Sequence, residues 1–164
     1  MRHIILIAHN VRSCHNVGSL LRTADGIGVE RVFLTGYTPY PLSKNDKRLP
    51  HLAEKIDKQI NKTALGAEAY IAWEHAEDLT PVLEQLRKDG FTIVAVEQSV
   101  RAIQLPEFRA SDKVALLVGR EVEGVELDVL EKMDQILEIP MFGEKESFNV
   151  VQAAAMALYH CRFQ

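Results

Sequence analysis

The 164 residues suffice for one domain with a full core, and a hydrophobic fraction of 47% is that of an ordinary globule. No apolar run approaches the roughly 20 residues that span a bilayer, and the opening MRHIILIAHN has a short apolar run without the small-residue cleavage site of a secretory signal. The net charge of -4 conceals a division, because residues 1–63 hold ten Lys/Arg against five Asp/Glu and residues 64–164 hold nine against eighteen. A polyanion is drawn to the first part and repelled by much of the second, although a solvated surface with segregated charges reads the same way. Cys14 and Cys161 belong to no CxxC pair, which points to a reducing cytoplasm and no structural disulfide.

Ile4–Ala8 is an unbroken apolar run, as in a strand buried on both faces, and the polar stretch His9–Asn16 after it reads as a loop. From Asn16, the spacing of Val17, Leu20, Leu21 and Ala24 predicts a helix, with Asn16, Ser19 and Thr23 on its polar face and Arg22 at the edge. Gly26 and Gly28 end it before a strand at Arg31–Thr35, and a GxG placed there is the reverse of a dinucleotide-binding turn. Gly36–Pro50, with three prolines and three bases, reads as a long surface loop, either functional or a plain Pro-rich connection. In a nucleic-acid binder, Tyr37 and Tyr40 would stack on bases while Lys44, Lys47 and Arg48 meet phosphates. A helix over His51–Thr63, a strand at Tyr70–Trp73, a helix at Pro81–Lys88 and a strand at Phe91–Val96 continue an alternating α/β pattern.

The last third is the most informative. Val114–Val118 and Ile136–Ile139 read as two more buried strands, followed at once by Gly119-Arg120-Glu121 and Pro140-Met141-Phe142-Gly143. Ligands of open parallel sheets bind outside the carboxyl ends of strands, so these turns, together with Glu97-Gln98-Ser99, are expected to line one crevice. Ser147 and Asn149 are helix N-cap types opening a helix over Asn149–Cys161, whose first N–H groups face the same place. That helix is apolar on nearly every side, so it needs cover all round, from a partner subunit or from its own domain. The six histidines show no HxxxH or HExxH spacing, so no metal site is expected, and His9 and His15 are either acid/base candidates or structural. Neither a GxSxG elbow nor a Walker phosphate loop is present.

Three ordered strings carry a resemblance. They are Asn16-Val17-Gly18-Ser19-Leu20-Leu21-Arg22-Thr23-Ala24-Asp25, then Leu117-Val118-Gly119-Arg120-Glu121-Val122-Glu123-Gly124-Val125, then Ile139-Pro140-Met141 with Ser147-Phe148-Asn149-Val150. Together they resemble the motifs of the SPOUT superfamily, in particular its TrmH (SpoU) branch of 2′-O-ribose RNA methyltransferases, and the resemblance spans essentially the whole chain. Residues 1–164 are expected to form a single domain of this kind, and no separate N-terminal RNA-binding extension is expected. The implied fold is an α/β parallel sheet whose C-terminal part is threaded into a trefoil knot, against the usual rule. The resemblance further implies a homodimer that binds S-adenosylmethionine in the knot's loops; the cytoplasmic location and the lack of a metal rest on the cysteine and histidine patterns. On this sequence the donor-binding positions are Glu97, Gln98, Ser99, Gly119, Glu121, Ile139, Met141, Gly143, Ser147 and Phe148, with Gly119 permitting close approach.

The catalytic constellation that the resemblance implies is Asn16, Arg22, Glu121, Ser147 and Asn149. A guanidinium is hard to deprotonate, so Arg22 is expected to position the hydroxyl and stabilise developing charge, with the base left open. Glu121 would hold Arg22 or a helix end, and Asn16, Ser147 and Asn149 would supply neutral hydrogen bonds. Taken one at a time, those three are also plain helix caps, and Arg22 a partner for Glu121 or Asp25. Arg120-Glu121-Val122-Glu123 is bulkier and more acidic than the Asn-Glu-Gly usual in the family, and Phe148 and Val151-Gln152 stand where Leu and Ser are commoner. The expectation is donor-dependent methylation of a ribose 2′-hydroxyl in structured RNA, tRNA before rRNA, with RNA held by Arg12, Arg22 and the Lys44–Lys62 region. The alternatives are a non-catalytic RNA-binding dimer and a methyltransferase acting on a base.

Overall fold

The first apolar run becomes a central strand, β1 (His3–His9), buried from Ile4 onward. In the computed structural model, which describes all residues 1–164, its successive side chains serve two cores. Ile4, Leu6 and Ala8 face one, and Ile5 and Ile7 the other, which is why the run has no polar break. The remaining elements are α1 (Cys14–Ile27), β2 (Arg31–Thr35), α2 (Pro50–Ala64), β3 (Trp73–Ala76), α3 (Leu79–Lys88), β4 (Thr92–Val96), β5 (Ile103–Gln104), β6 (Lys113–Val118), α4 (Leu127–Leu130), β7 (Gln135–Glu138) and α5 (Val150–Phe163). Seven strands form one sheet in the order β3-β2-β1-β6-β4-β7-β5, and every pairing is parallel. Helices α1, α2 and α5 cover one face, and α3 and α4 the other. Gly18 lets α1 and α2 touch, since a Cβ there would lie 2.2 Å from the Ile60 carbonyl oxygen and the Thr63 Oγ1. No helix is long and apolar enough to cross a membrane, and both cysteines are free thiols.

Several expectations are corrected by the structure. Helix α1 starts two residues before Asn16: Ser13 is its N-cap and accepts the Asn16 N–H at 3.2 Å, so the Asn16 side chain is left for other contacts. The strand expected at Tyr70–Trp73 begins only at Trp73. Residues Ala67–Ala69 form a 3₁₀ turn, Tyr70 is exposed, and the Trp73 Nε1–H donates to the Glu68 carbonyl at 3.1 Å, so the apolar run there fills a turn. β3 lies at the sheet edge and is only half buried, so it needs no apolar run. β5 and α4 are too short to leave a periodic signal.

The 36–50 loop is more firmly packed than its composition suggests. Tyr40 stacks on His75 with centroids 4.0 Å apart, and the Arg48 guanidinium sits 3.6 Å from the Tyr40 ring centre. Arg48 donates to Asp46 and to the carbonyls of Tyr40 and Pro41. Neither Tyr40 nor Arg48 is therefore free for RNA, whereas Tyr37, Lys44 and Lys47 remain exposed. Helix α5 buries Ala154, Ala157, Leu158 and Cys161 against the domain. Its opposite flank, Ala155, Met156, Tyr159 and Phe163, forms an uncovered apolar surface with Leu105, so the chain by itself covers this helix on one side only.

Candidate active site

The turns after β4, β6 and β7 and the segment leading into α5 meet in one half-open cleft of about 260 Å³. Its walls have an apolar part, Val96, Val118, Ile139, Met141, Phe148 and Val150, and an acidic part, Glu97, Glu121, Glu123 and Glu146. Arg120 is the sole cation among the lining residues.

Two carboxylates hold this wall in shape. Glu121 accepts the Ser13 N–H at 3.0 Å, the Asn16 side-chain amide at 3.1 Å and the Arg12 N–H at 3.2 Å. It thereby ties the turn after β6 to the start of α1, where the helix dipole also favours a negative charge. Burial works to raise its pKa, but these hydrogen bonds outweigh it and hold the carboxyl below its ordinary value. On the other side, Glu97 accepts the Gln98 N–H at 2.8 Å and the Val125 N–H at 2.8 Å. Between them Arg120 and Gly124 exchange a pair of backbone hydrogen bonds, 3.2 Å each, closing a small hairpin. Gly124 adopts φ +70°, and a Cβ there would lie 2.1 Å from a Glu97 carboxylate oxygen. A Cβ on Gly119 would meet Val125 at 2.7 Å and the Gly124 backbone at 2.9 Å, so the missing side chain makes room for the hairpin itself.

Of the residues singled out from the sequence, Glu97, Gln98, Gly119, Glu121, Ile139, Met141, Ser147 and Phe148 line the cleft. Ser99 and Gly143 do not; Ser99 closes a turn in which its Oγ accepts the Arg101 N–H at 3.3 Å. Asn16 reaches the cleft wall through Glu121. Asn149 caps α5, its Oδ1 accepting the Val151 N–H at 2.9 Å, whereas Ser147 lies exposed two residues earlier and caps nothing. Arg22 stands apart. It is exposed on α1, makes no ion pair with Glu121 or Asp25, and is absent from the cleft lining. Six residues past Asn16, it lies about 9 Å farther along the helix axis.

His9 is buried at the end of β1, its Nδ1 2.9 Å from the Thr35 Oγ1 and its Nε2 3.1 Å from the Asn10 amide. Burial lowers its pKa, with Glu126 opposing, and both ring nitrogens are engaged, so it acts as a structural group. The sequence reading missed Glu126, which joins Asn10 and Arg120. Its one signal was a carboxylate five residues beyond Glu121, immediately after the second motif.

A wholly parallel α/β sheet, with a cleft across three adjacent strand ends and a carboxylate tying that cleft to the first helix, is the setting in which the three ordered strings come together. The chain belongs to the SpoU rRNA Methylase family, whose model matches residues 3–159. It is similar, at 28% identity over 163 residues, to the tRNA (guanosine(18)-2′-O)-methyltransferase of Aquifex aeolicus, the match covering 99% of this chain and 70% of that one. It is also 29% identical over 161 residues to the 23S rRNA (guanosine-2′-O-)-methyltransferase RlmB of Neisseria meningitidis serogroup B, covering 98% of this chain and 58% of that relative's length. The crystal structure of an AdoMet-bound rRNA methyltransferase from Sinorhizobium meliloti shares the fold, with a TM-score of 0.82 at 21% identity over 96% of this chain and 55% of that one.

Proposed function

We propose that the protein transfers a methyl group from S-adenosylmethionine to a ribose 2′-hydroxyl in structured RNA, tRNA in preference to rRNA. The observation that carries this reading is the convergence of the β4, β6 and β7 turns and the Ser147–Phe148 segment on one cleft that Glu121 ties to the first motif helix. The cleft suits the donor: its apolar walls match an adenine ring, and four carboxylates against a single guanidinium match a sulfonium cation. When bound, the donor supplies an activated methyl group and leaves as a neutral thioether, so the protein's task is chiefly alignment.

The chain's own groups divide that task. Glu121, with its oxygens engaged by three N–H donors and its carboxyl held below the ordinary range, is a positioning residue and a poor base. Ser147 and Phe148 close one side of the cleft. Arg22 orients the ribose and stabilises developing charge. Because it does not line its own chain's cleft, we assign it to the cleft of a second copy in a homodimer. The uncovered flank of α5, and the apolar tips Val122 and Phe142 exposed at 91% and 95%, support an interface beside the site. Passage of the 139–149 segment through a trefoil knot belongs to the same reading. RNA approaches the basic first part of the chain through Arg12, Lys44, Lys47 and the exposed lysines of α2.

The test is incubation of the protein with labelled donor and total RNA, followed by digestion to nucleosides. A 2′-O-methyl nucleoside is expected. Label on a base would redirect the reading to a base methyltransferase, and salt-sensitive RNA binding without donor binding would redirect it to a non-catalytic RNA-binding dimer.

A further inference from the structure

The most unusual feature of the cleft is a guanidinium with donors to spare. Arg120 lies in the second motif and is the only cation in a wall of carboxylates. Its Nη2 lies 3.3 Å from a Glu126 carboxylate oxygen, and that single ion-pair contact is its side chain's whole set of protein partners. The buried Nε finds no acceptor, and the second oxygen of Glu126 is buried without a hydrogen bond. A guanidinium has five N–H donors, so one contact to Glu126 leaves Nη donors available to an anion in the cleft.

The support beneath Arg120 is elaborate for an incidental surface pair. Glu126 also accepts the Asn10 side-chain amide at 3.0 Å, and the same amide lies 3.1 Å from His9 Nε2. Asn10 adopts a left-handed backbone with φ 57°, a conformation that asparagine tolerates better than most residues, and its Oδ1 accepts the Tyr37 N–H at 3.2 Å. The end of β1, the loop after β2 and the turn after β6 are thus joined through the one carboxylate that faces Arg120. This contact restrains the side chain from swinging freely into solvent, and its exposure is only 23%.

We propose that Arg120, positioned by Glu126 and Asn10, is the anion-binding residue of the cleft and takes one oxyanion of the reactants. Two oxyanions reach such a site: the α-carboxylate of the methyl donor, or a phosphate of the RNA beside the target ribose. A planar fork of N–H donors recognises either. Glu126 offsets part of the positive charge, so the sulfonium next to it is not strongly repelled. The proposal rests on the reading of this cleft as the donor site.

The experiment is calorimetric titration of the full chain, as wild type, Arg120→Gln, Arg120→Lys and Glu126→Gln, with S-adenosylmethionine and with 5′-deoxy-5′-(methylthio)adenosine, which keeps the nucleoside and lacks the amino acid. Steady-state methylation of bulk tRNA is measured alongside. If the donor carboxylate is the anion, Arg120→Gln weakens S-adenosylmethionine about tenfold or more and leaves methylthioadenosine unchanged. If an RNA phosphate is the anion, donor affinity is unchanged, and KM for tRNA rises about tenfold with kcat nearly preserved. In either case Arg120→Lys recovers part of the loss, and Glu126→Gln gives a smaller loss of the same kind. Equal weakening of both nucleosides by Arg120→Gln, or no change in any of the three measurements, overturns the proposal. A wild-type chain that binds neither nucleoside removes the donor-site reading itself, and the proposal with it.

Discussion

The cleft wall and the outer flanks of α1 and α5 are built on opposite terms. In the wall, Glu97 and Glu121 have their oxygens occupied by backbone and amide N–H groups, and a hairpin closes between them. On the flanks, Arg22 has no ion pair and Tyr159 and Phe163 stand 60% and 69% exposed. A wall whose two clamping carboxylates are satisfied within one chain is already preorganised, whereas an unpaired arginine and an uncovered apolar helix face are unfinished until something else arrives. On the proposed function, the donor side of the site is complete in each chain and the ribose side is completed by a second copy.

That contrast is tested most severely at Arg22. Arg22→Ala is expected to lower kcat about a hundredfold or more, as loss of a charge-stabilising donor does. It should leave the melting temperature and donor affinity unchanged, because the side chain is exposed and forms no ion pair in its own chain. A clear fall in melting temperature would show that Arg22 has a structural partner and erase the distinction. Glu121→Ala comes next and should behave in the opposite way. It leaves the Arg12 and Ser13 N–H groups and the Asn16 amide without their acceptor, so it costs about 1–3 kcal/mol of stability along with activity, read by urea denaturation. Loss of activity with unchanged stability would mean that this carboxylate acts on substrate and is no clamp.

The acid response sharpens the same comparison. Glu121 and Glu126 both have folded pKa values below the ordinary 4.5, so their contribution to stability is present above that pH and is lost as pH falls through the folded values. His9 is also held below its ordinary 6.5, which favours the neutral ring in the fold; its contribution is complete above that pH and declines on acidification. Melting temperature should therefore drop in two stages, one beginning near pH 6.5 and a second below 4.5. Glu121→Gln should flatten the lower stage and leave the upper one. The smallest effect is expected at the 36–50 loop, which the proposed function turns toward RNA, where changing both Lys44 and Lys47 to Ala should reduce the salt slope of RNA binding by about one to two without altering donor affinity.

How much of this was legible in the sequence follows from what leaves a periodic trace. The strands serving two cores, β1, β4 and β6, had to be continuously apolar and were visible for that reason. β3 was displaced because a half-exposed edge strand needs no such run, while the preceding turn borrowed one. The turns that line the cleft followed from the positions of the strands, since ligands gather at their carboxyl ends. Glu121 was expected to hold Arg22 or a helix end and holds the latter, the start of α1, but which residues meet it was not legible, because Arg12, Ser13 and Asn16 lie more than 100 residues away in the chain. The same holds for Tyr40 and Arg48, whose composition suggested RNA contacts but which pack onto His75 and Asp46.

The central claim is that one chain's cleft works with another chain's Arg22. Mixing inactive Arg22→Ala with an inactive cleft variant, Glu121→Ala carrying Ser147→Ala, under conditions that exchange subunits, tests it directly. Random exchange should restore about a quarter of wild-type methylation, because half of the dimers are mixed and each mixed dimer holds one intact site. Mixtures that stay as inactive as their parents after confirmed exchange would contradict it.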